Sequence, residues 1–133
     1  MSLLDSVKES EGFRSKVYKC TEGFDTIGYG FAIKDLEMDE DIAEKILIKK
    51  LESLIVRVHK AFPWIARANK QVEDVIVEMC YQMGVSGVSK FKKALGALEW
   101  GNYQLAADEL LDSKWARQTP NRAKRLSDII RNQ

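Results

Sequence analysis

The sequence predicts an α+β fold, mainly α, in which a small β-hairpin lobe is joined by a long helix to an all-α lobe. Three observations lead there. Apolar residues recur at spacings of three and four over most of the chain, β-favouring and turn-forming residues concentrate between Val17 and Ile33, and one helical pattern from Ile42 to Val58 is long enough to connect two lobes. With 133 residues, 45% of them hydrophobic, the chain is sized for a single domain, residues 1–133, with the small lobe at about 13–60 and the helical lobe at about 1–12 and 61–133.

The elements follow in order. Ser2, with Asp5 three positions later, resembles a capping box, and Leu3, Leu4, Val7 and Phe13 recur at roughly helical spacing, so a first helix should run to about Glu11 and end at Gly12. From Val17 to Ile33 the chain reads as a hairpin: Val17, Tyr18, Thr26 and Ile27 favour strands, Thr21, Glu22 and Gly23 supply a turn, and Gly28 and Gly30 suggest a bend. Asp39 is placed as the N-cap of the long helix, whose apolar side is Ile42, Ile46, Leu47, Leu51, Leu54, Ile55 and Val58, and "AFPW" breaks it at Pro63. Val72, Val75, Ile76, Met79 and Cys80 mark a core helix ending near Gly84, and "GVSG" separates it from another around Phe91, Leu95 and Leu98. Tyr103 to Leu111 reads as a helix, Lys114 to Arg117 as a short turn, and Thr119-Pro120 as the N-cap and first-turn proline of the last helix. Two lobes of unlike structure suggest a cleft between them.

Composition excludes some classes. With 21 basic and 20 acidic residues the net charge is +1, so no global field points to nucleic acid or to a membrane. Between Asp112 and Gln133 the balance is locally +4, from Lys114, Arg117, Arg122, Lys124, Arg125 and Arg131 against Asp112 and Asp128. A polyanion can dock there, although a solvated helix face is the plainer reading. Two cysteines, Cys20 and Cys80, offer neither a metal-ligand spacing nor a disulfide framework, and fit synthesis in a reducing cytosol. The N-terminal "MSLLDSVKESEGF" carries early acidic residues and no long apolar run, so neither signal peptide nor membrane anchor is expected. Cys80 shares an apolar helix face with Ile76 and Met79 and reads as core, whereas His59, near the polar end of the long helix, reads as exposed.

One constellation can carry chemistry. Glu11 closes the first helix, Cys20 follows after eight intervening residues, and Thr26 after five more. A carboxyl at a helix end, desolvated by a neighbouring lobe, can stay protonated and act as a general acid. A hairpin can present Cys20 and Thr26 together, because even spacing along a strand and cross-strand pairing place side chains on one face. An acid on one side of a bound group and a water or nucleophile on the other is the layout of glycoside hydrolysis. The spacing alone is weakly specific, since a glutamate at a helix end is usually a solvated surface residue.

The stretch "EGFRSKVYKCTEGFDTIGYG" resembles the active-site segment of the phage lysozymes of glycoside hydrolase family 24, the T-even type above all, and "YQMGVSGVSKF" and "SKWARQTPNRAKR" resemble that family's C-terminal half. The matching stretches reach from the first helix to the last, with residues 34–70 the poorest match. The resemblance implies a lysozyme-like two-lobed fold and an endolysin: a muramidase that hydrolyses β-1,4 bonds between N-acetylmuramic acid and N-acetylglucosamine in peptidoglycan and so lyses a bacterial host. Glu11 matches the family's general acid, Thr26 the threonine that helps position the attacking water, and Cys20 the second catalytic carboxylate, usually an aspartate. Family members generally invert, with water as nucleophile. Ala32 falls where a backbone contact to sugar is expected, Tyr81 and Gln82 match an aromatic and its polar neighbour lining the sugar cleft, and Arg122 matches a basic residue near the glutamate. The resemblance implies no metal or organic cofactor. It implies a monomer whose partner is the peptidoglycan glycan strand, with no nucleic acid and no stable membrane insertion. Synthesis in the host cytoplasm would be followed by action on the wall, in the periplasm, once a separate holin permeabilises the membrane.

The departures from the family pattern are specific. Phe31 stands where a histidine usually follows "GxG", which removes an ion pair, and "FAIKDLEMDED" passes almost directly from hairpin to long helix, so the small lobe should hold less β structure. Cys20 raises the sharper question, because an aspartate ionises at about 4 and a free thiol only at about 8.5. Three readings stay open: Cys20 keeps the catalytic role as thiolate or through a sulfur-bound water; Asp25 or Glu22 supplies the charge; or the site is silent and the protein only binds glycan. A lytic transglycosylase, which needs only the acid, is a further alternative.

Overall fold

The computed structural model describes residues 2–133. Contacts divide the chain into two compact units, Met1–Glu44 and Lys45–Gln133, the division falling near the start of the long helix.

In the first unit, α1 (Leu3–Glu11) opens at Ser2, whose Oγ accepts the Asp5 N–H at 3.1 Å, and closes at Gly12, whose N–H bonds the Lys8 carbonyl at 2.9 Å. Strands β1 (Arg14–Lys19) and β2 (Asp25–Gly28) are antiparallel, with Tyr18 opposite Thr26 and Lys19 opposite Asp25. The bend expected at Gly28 and Gly30 is a second turn. It returns the chain as β3 (Phe31–Ala32), pairing Ala32 with Thr26 and Phe31 with Ile27, so the hairpin becomes a three-stranded sheet with β2 central. The first strand starts at Arg14, earlier than Val17, because an exposed edge strand needs no apolar alternation to declare it. After one 3-10 turn, Ile33–Asp35, Asp39 caps α2 (Glu40–Ala61) by accepting the Ile42 N–H at 3.0 Å.

The second unit is helical. Phe62 and Pro63 end α2, a 3-10 turn spans Pro63–Arg67, and Asn69 Oδ1 accepts the Val72 N–H at 2.9 Å to start α3 (Lys70–Val88). Gly84 leaves helical conformation (φ 79°, ψ 159°), where the sequence places the end, but the residues after it rewind into a short helical piece instead of a loop. Then come α4 (Lys92–Glu99), α5 (Tyr103–Leu111), α6 (Lys114–Gln118) and α7 (Pro120–Arg131). The stretch read as a short turn is therefore α6, capped by Ser113 Oγ, which accepts the Ala116 N–H at 3.1 Å. Thr119 occupies the N-cap of α7, yet its hydroxyl donates backwards to the Trp115 carbonyl at 3.1 Å, closing α6 instead of opening α7.

Among the described residues the buried hydrophobic side chains all belong to this unit, from Leu54 to Ile130, and α7 contributes Ala123, Leu126 and Ile130 at spacings of three and four, with the polar Ser127 buried beside them. Cys80 lies in this core, and burial pushes its thiol up to about 11. His59 is half-buried, not exposed: α3 brings Glu73 to it, with 2.6 Å between His59 Nε2 and Glu73 Oε2. No helix among the described residues is long and apolar enough to cross a membrane.

Candidate active site

Four of the candidate residues, Glu11, Cys20, Thr26 and Ala32, lie in the first unit, and its backbone explains their placement. Glu11 is the last residue of α1, solvent-exposed, one step before the Gly12 cap. Its carboxylate rests against the β2–β3 turn: a Cβ built on Gly30 would lie 2.6 Å from Glu11 Oε2. Gly30 also has φ +77°, so the site needs glycine both for conformation and for close approach. Two residues on, Ala32 pairs with Thr26 across the sheet.

Thr26 sits on the central strand and is 3% exposed, the one buried side chain of this unit among the described residues. Its Oγ1 donates to the Phe24 carbonyl at 2.9 Å. Tyr18 faces Thr26 across β1 and β2, and Cys20 follows Tyr18 by two residues, so Thr26 and the side of the hairpin carrying Cys20 share a face of the sheet.

Cys20 opens the turn. Its N–H donates to the Phe24 carbonyl at 2.9 Å and its carbonyl accepts from the Gly23 N–H at 2.8 Å, which curls the chain back over the sulfur. Hydrogen bonds from the backbone of Phe24 first, then of Glu22, hold the Cys20 thiol below the ordinary thiol range; the Thr26 hydroxyl adds to this, and partial burial and the Glu22 charge oppose it. The Thr26 hydroxyl has one proton and two takers, the Phe24 carbonyl and an ionised Cys20.

Asp25 pairs with Lys19 at 2.6 Å and precedes Thr26 on β2, so its carboxylate projects from the opposite face. Phe31 is half-exposed and lays its ring beside Gly28, where a Cβ would meet it at 2.7 Å.

Tyr81 and Gln82 lie in the second unit. Tyr81, on α3, is 49% exposed and lines a groove of about 600 Å³ with Lys49, Lys50 and Arg57 of α2. Gln82 is already engaged: its Oε1 accepts the Trp115 indole N–H at 2.9 Å, and its Nε2 reaches Thr119 Oγ1 at 3.5 Å. Arg122 donates through Nε to Glu78 Oε2 at 2.8 Å, and Arg125 shares the same oxygen at 3.0 Å. Sequence reasoning gave Gly30 only a bend and missed Trp115 and Glu78; the closely spaced glycines of "GYG" and the "SKW" at the start of α6 were the available signals. No group of three or more His, Cys, Asp or Glu among the described residues is placed to hold a metal ion.

The sequence pattern of the Phage lysozyme family matches residues 8–131. The chain belongs to the phage lysozyme family. Two similar proteins from Dictyostelium discoideum, Probable T4-type lysozyme 1 and Probable T4-type lysozyme 2, are 30% and 31% identical to it, each alignment covering 97% of this chain and 93% of the relative. The alignment with the first runs over 158 positions against 133 residues here, so that relative carries stretches this lysozyme lacks. The Pre-baseplate central spike protein Gp5 of Enterobacteria phage T4 is 31% identical over 98% of this chain, which spans only 28% of that protein. As a lysozyme of this family the protein is a glycoside hydrolase of the muramidase type, with peptidoglycan as its substrate.

Proposed function

We propose that Glu11 is the general acid of this lysozyme, that Cys20 holds the second catalytic position as thiolate, and that Thr26 helps hold the attacking water. Glu11 protonates the glycosidic oxygen as the bond to the anomeric carbon breaks. A water attacks that carbon from the opposite face and gives its proton to the Cys20 sulfur, leaving an inverted sugar; solvent exchange then returns both groups to their starting states. The observation that carries this reading is the seating of the Glu11 carboxylate against Gly30, in the same compact unit as Cys20 and Thr26. Thr26, being 3% exposed, can touch little more than one water beside the sulfur. The amide hydrogen bonds around Cys20 favour a charged sulfur, and Asp25, tied to Lys19, is a poor substitute.

Ala32, next to Thr26 in the sheet, offers backbone to a bound sugar, and the exposed Tyr81 offers a ring. Gln82 takes part with its carboxamide held by Trp115. In this reading the enzyme is an endolysin that acts as a monomer on the host wall after a holin opens the membrane.

The experiment is clearing of a peptidoglycan suspension. The wild-type protein clears it, Glu11→Gln slows clearing by at least about 10³-fold, and the products carry reducible ends. An unreducible anhydro-sugar would make the protein a lytic transglycosylase. Full activity of Glu11→Gln would remove Glu11 from the reaction.

A further inference from the structure

The turn between α4 and α5 holds Trp100 in solvent with 85% of its surface exposed. The backbone beneath it is fixed. Gly101 takes φ +77°, its N–H bonds the Leu98 carbonyl at 3.2 Å, and the Asn102 N–H bonds the Ala97 carbonyl at 2.8 Å, the two bonds of a Schellman closure. A large ring placed outward on a rigid turn contributes nothing to packing, and tryptophan is the side chain most enriched where binding energy concentrates.

Beside it lies a pocket of about 460 Å³, within the size range of small-ligand sites, lined by Trp64, Arg67, Asn69, Glu99, Trp100 and Tyr103. Three are rings and three carry planar polar groups. Among the described residues no ion pair engages Arg67 or Glu99. Asn69 spends its Oδ1 on capping α3, and among the described residues its amide N–H groups and the indoles of Trp64 and Trp100 find no hydrogen-bond partner, where the indole of Trp115 is bonded to Gln82. A pyranose asks for this mixture: its C–H face lies on an aromatic ring, while hydroxyl and N-acetyl groups need donors and acceptors together. One cation balanced by one carboxylate gives no attraction to an anionic lipid surface, and the polar groups would be stranded against an apolar peptide.

We propose that this pocket is a second, non-catalytic glycan site taking β-1,4-linked N-acetylated aminosugar chains. It lies wholly within Lys45–Gln133, whereas Glu11, Cys20 and Thr26 belong to Met1–Glu44. The inference rests on the peptidoglycan reading above. Its consequence is retention: a second grip on an insoluble polymer raises the local concentration of chain at the enzyme.

The test is a titration of 15N-labelled Glu11→Gln protein with the tetramer of N-acetylglucosamine, following the three indole N–H resonances. Those of Trp64 and Trp100 should shift saturably, and adding Trp100→Ala should weaken this response about tenfold with the thermal melt unchanged. In the active protein, Trp100→Ala should slow clearing of whole sacculi but not cleavage of short soluble oligosaccharides. If the wild type clears sacculi while Trp64 and Trp100 stay silent to the tetramer, the second site falls and the lysozyme mechanism stands. If both indoles respond but no variant or wild type ever clears sacculi, the mechanism fails and the glycan site survives. A response to anionic phospholipid vesicles and none to the tetramer would overturn the proposal in favour of a membrane contact.

Discussion

Sulfur can stand in for a carboxylate only where its surroundings favour the charged form, and at Cys20 those surroundings are backbone amides. The spacing of Glu11, Cys20 and Thr26 is legible in the sequence; the amides of Phe24 and Glu22 around the thiol are not, since they depend on how the turn closes. With the thiolate as base, the clearing rate should rise with pH along a limb lying below the ordinary thiol value of about 8.5. In Cys20→Asp that limb should move further down, toward about 4, and Cys20→Ser should lose about 10²-fold in rate. A Cys20→Asp profile superimposable on the wild type would take the sulfur out of the mechanism. Gly30 matters for a different reason. Its substitution by alanine meets the mobile end of Glu11 at 2.6 Å, so the carboxylate gives way before the backbone does. Gly30→Ala should therefore lower the rate about 10²-fold, the order expected for a misplacement near 1 Å, at a stability cost of about 1–2 kcal/mol. Comparison of turnover with the thermal melt separates the two effects.

At the level of elements, local chemistry was readable wherever a cap or a breaker acts alone. Ser2, Asp39 and Pro63 do what their residue types dictate. Thr119 does not, because the end of α6 competes for its hydroxyl, and β3 escaped notice because two residues carry no periodicity. The α2–α3 pair holds a partnership invisible in sequence, in which Glu73 accepts from both His59 and Lys70. Burial pushes the Glu73 carboxyl up, but these two hydrogen bonds outweigh it and leave the group below the ordinary carboxylate range. A carboxyl depressed in the folded state contributes its stability above the unfolded value and loses it as pH falls through the folded one. Glu73→Gln should thus cost about 1–2 kcal/mol at neutral pH, and the difference should shrink below about pH 4. Urea melts of both proteins at the two pH values read this directly; an equal loss at both would assign the effect to shape.

For the whole molecule, burial is uneven. The apolar core runs from Leu54 to Ile130, all within Lys45–Gln133, while the first unit buries only Thr26 among the described residues. Hydrogen exchange on the intact protein should accordingly find the amides of α3, α5 and α7 protected close to the global limit, and those of β1–β3 exchanging through smaller openings, faster by at least about 10²-fold. Uniform protection would contradict that division. Low protection there would suit the proposed mechanism, in which the acid and base come from a helix end, a turn and a short sheet. By itself the sequence determined the helical periods, most of the caps, the Glu11, Cys20, Thr26 spacing and the family, because each of these rests on residue order and local chemistry. Tertiary structure alone decided that Glu11 meets Gly30, that Gln82 is held by Trp115 across 33 positions, that Glu78 gathers Arg122 across 44, and that His59 finds Glu73 across 14. Those contacts depend on the path of the backbone between distant residues, and no window of sequence contains both ends.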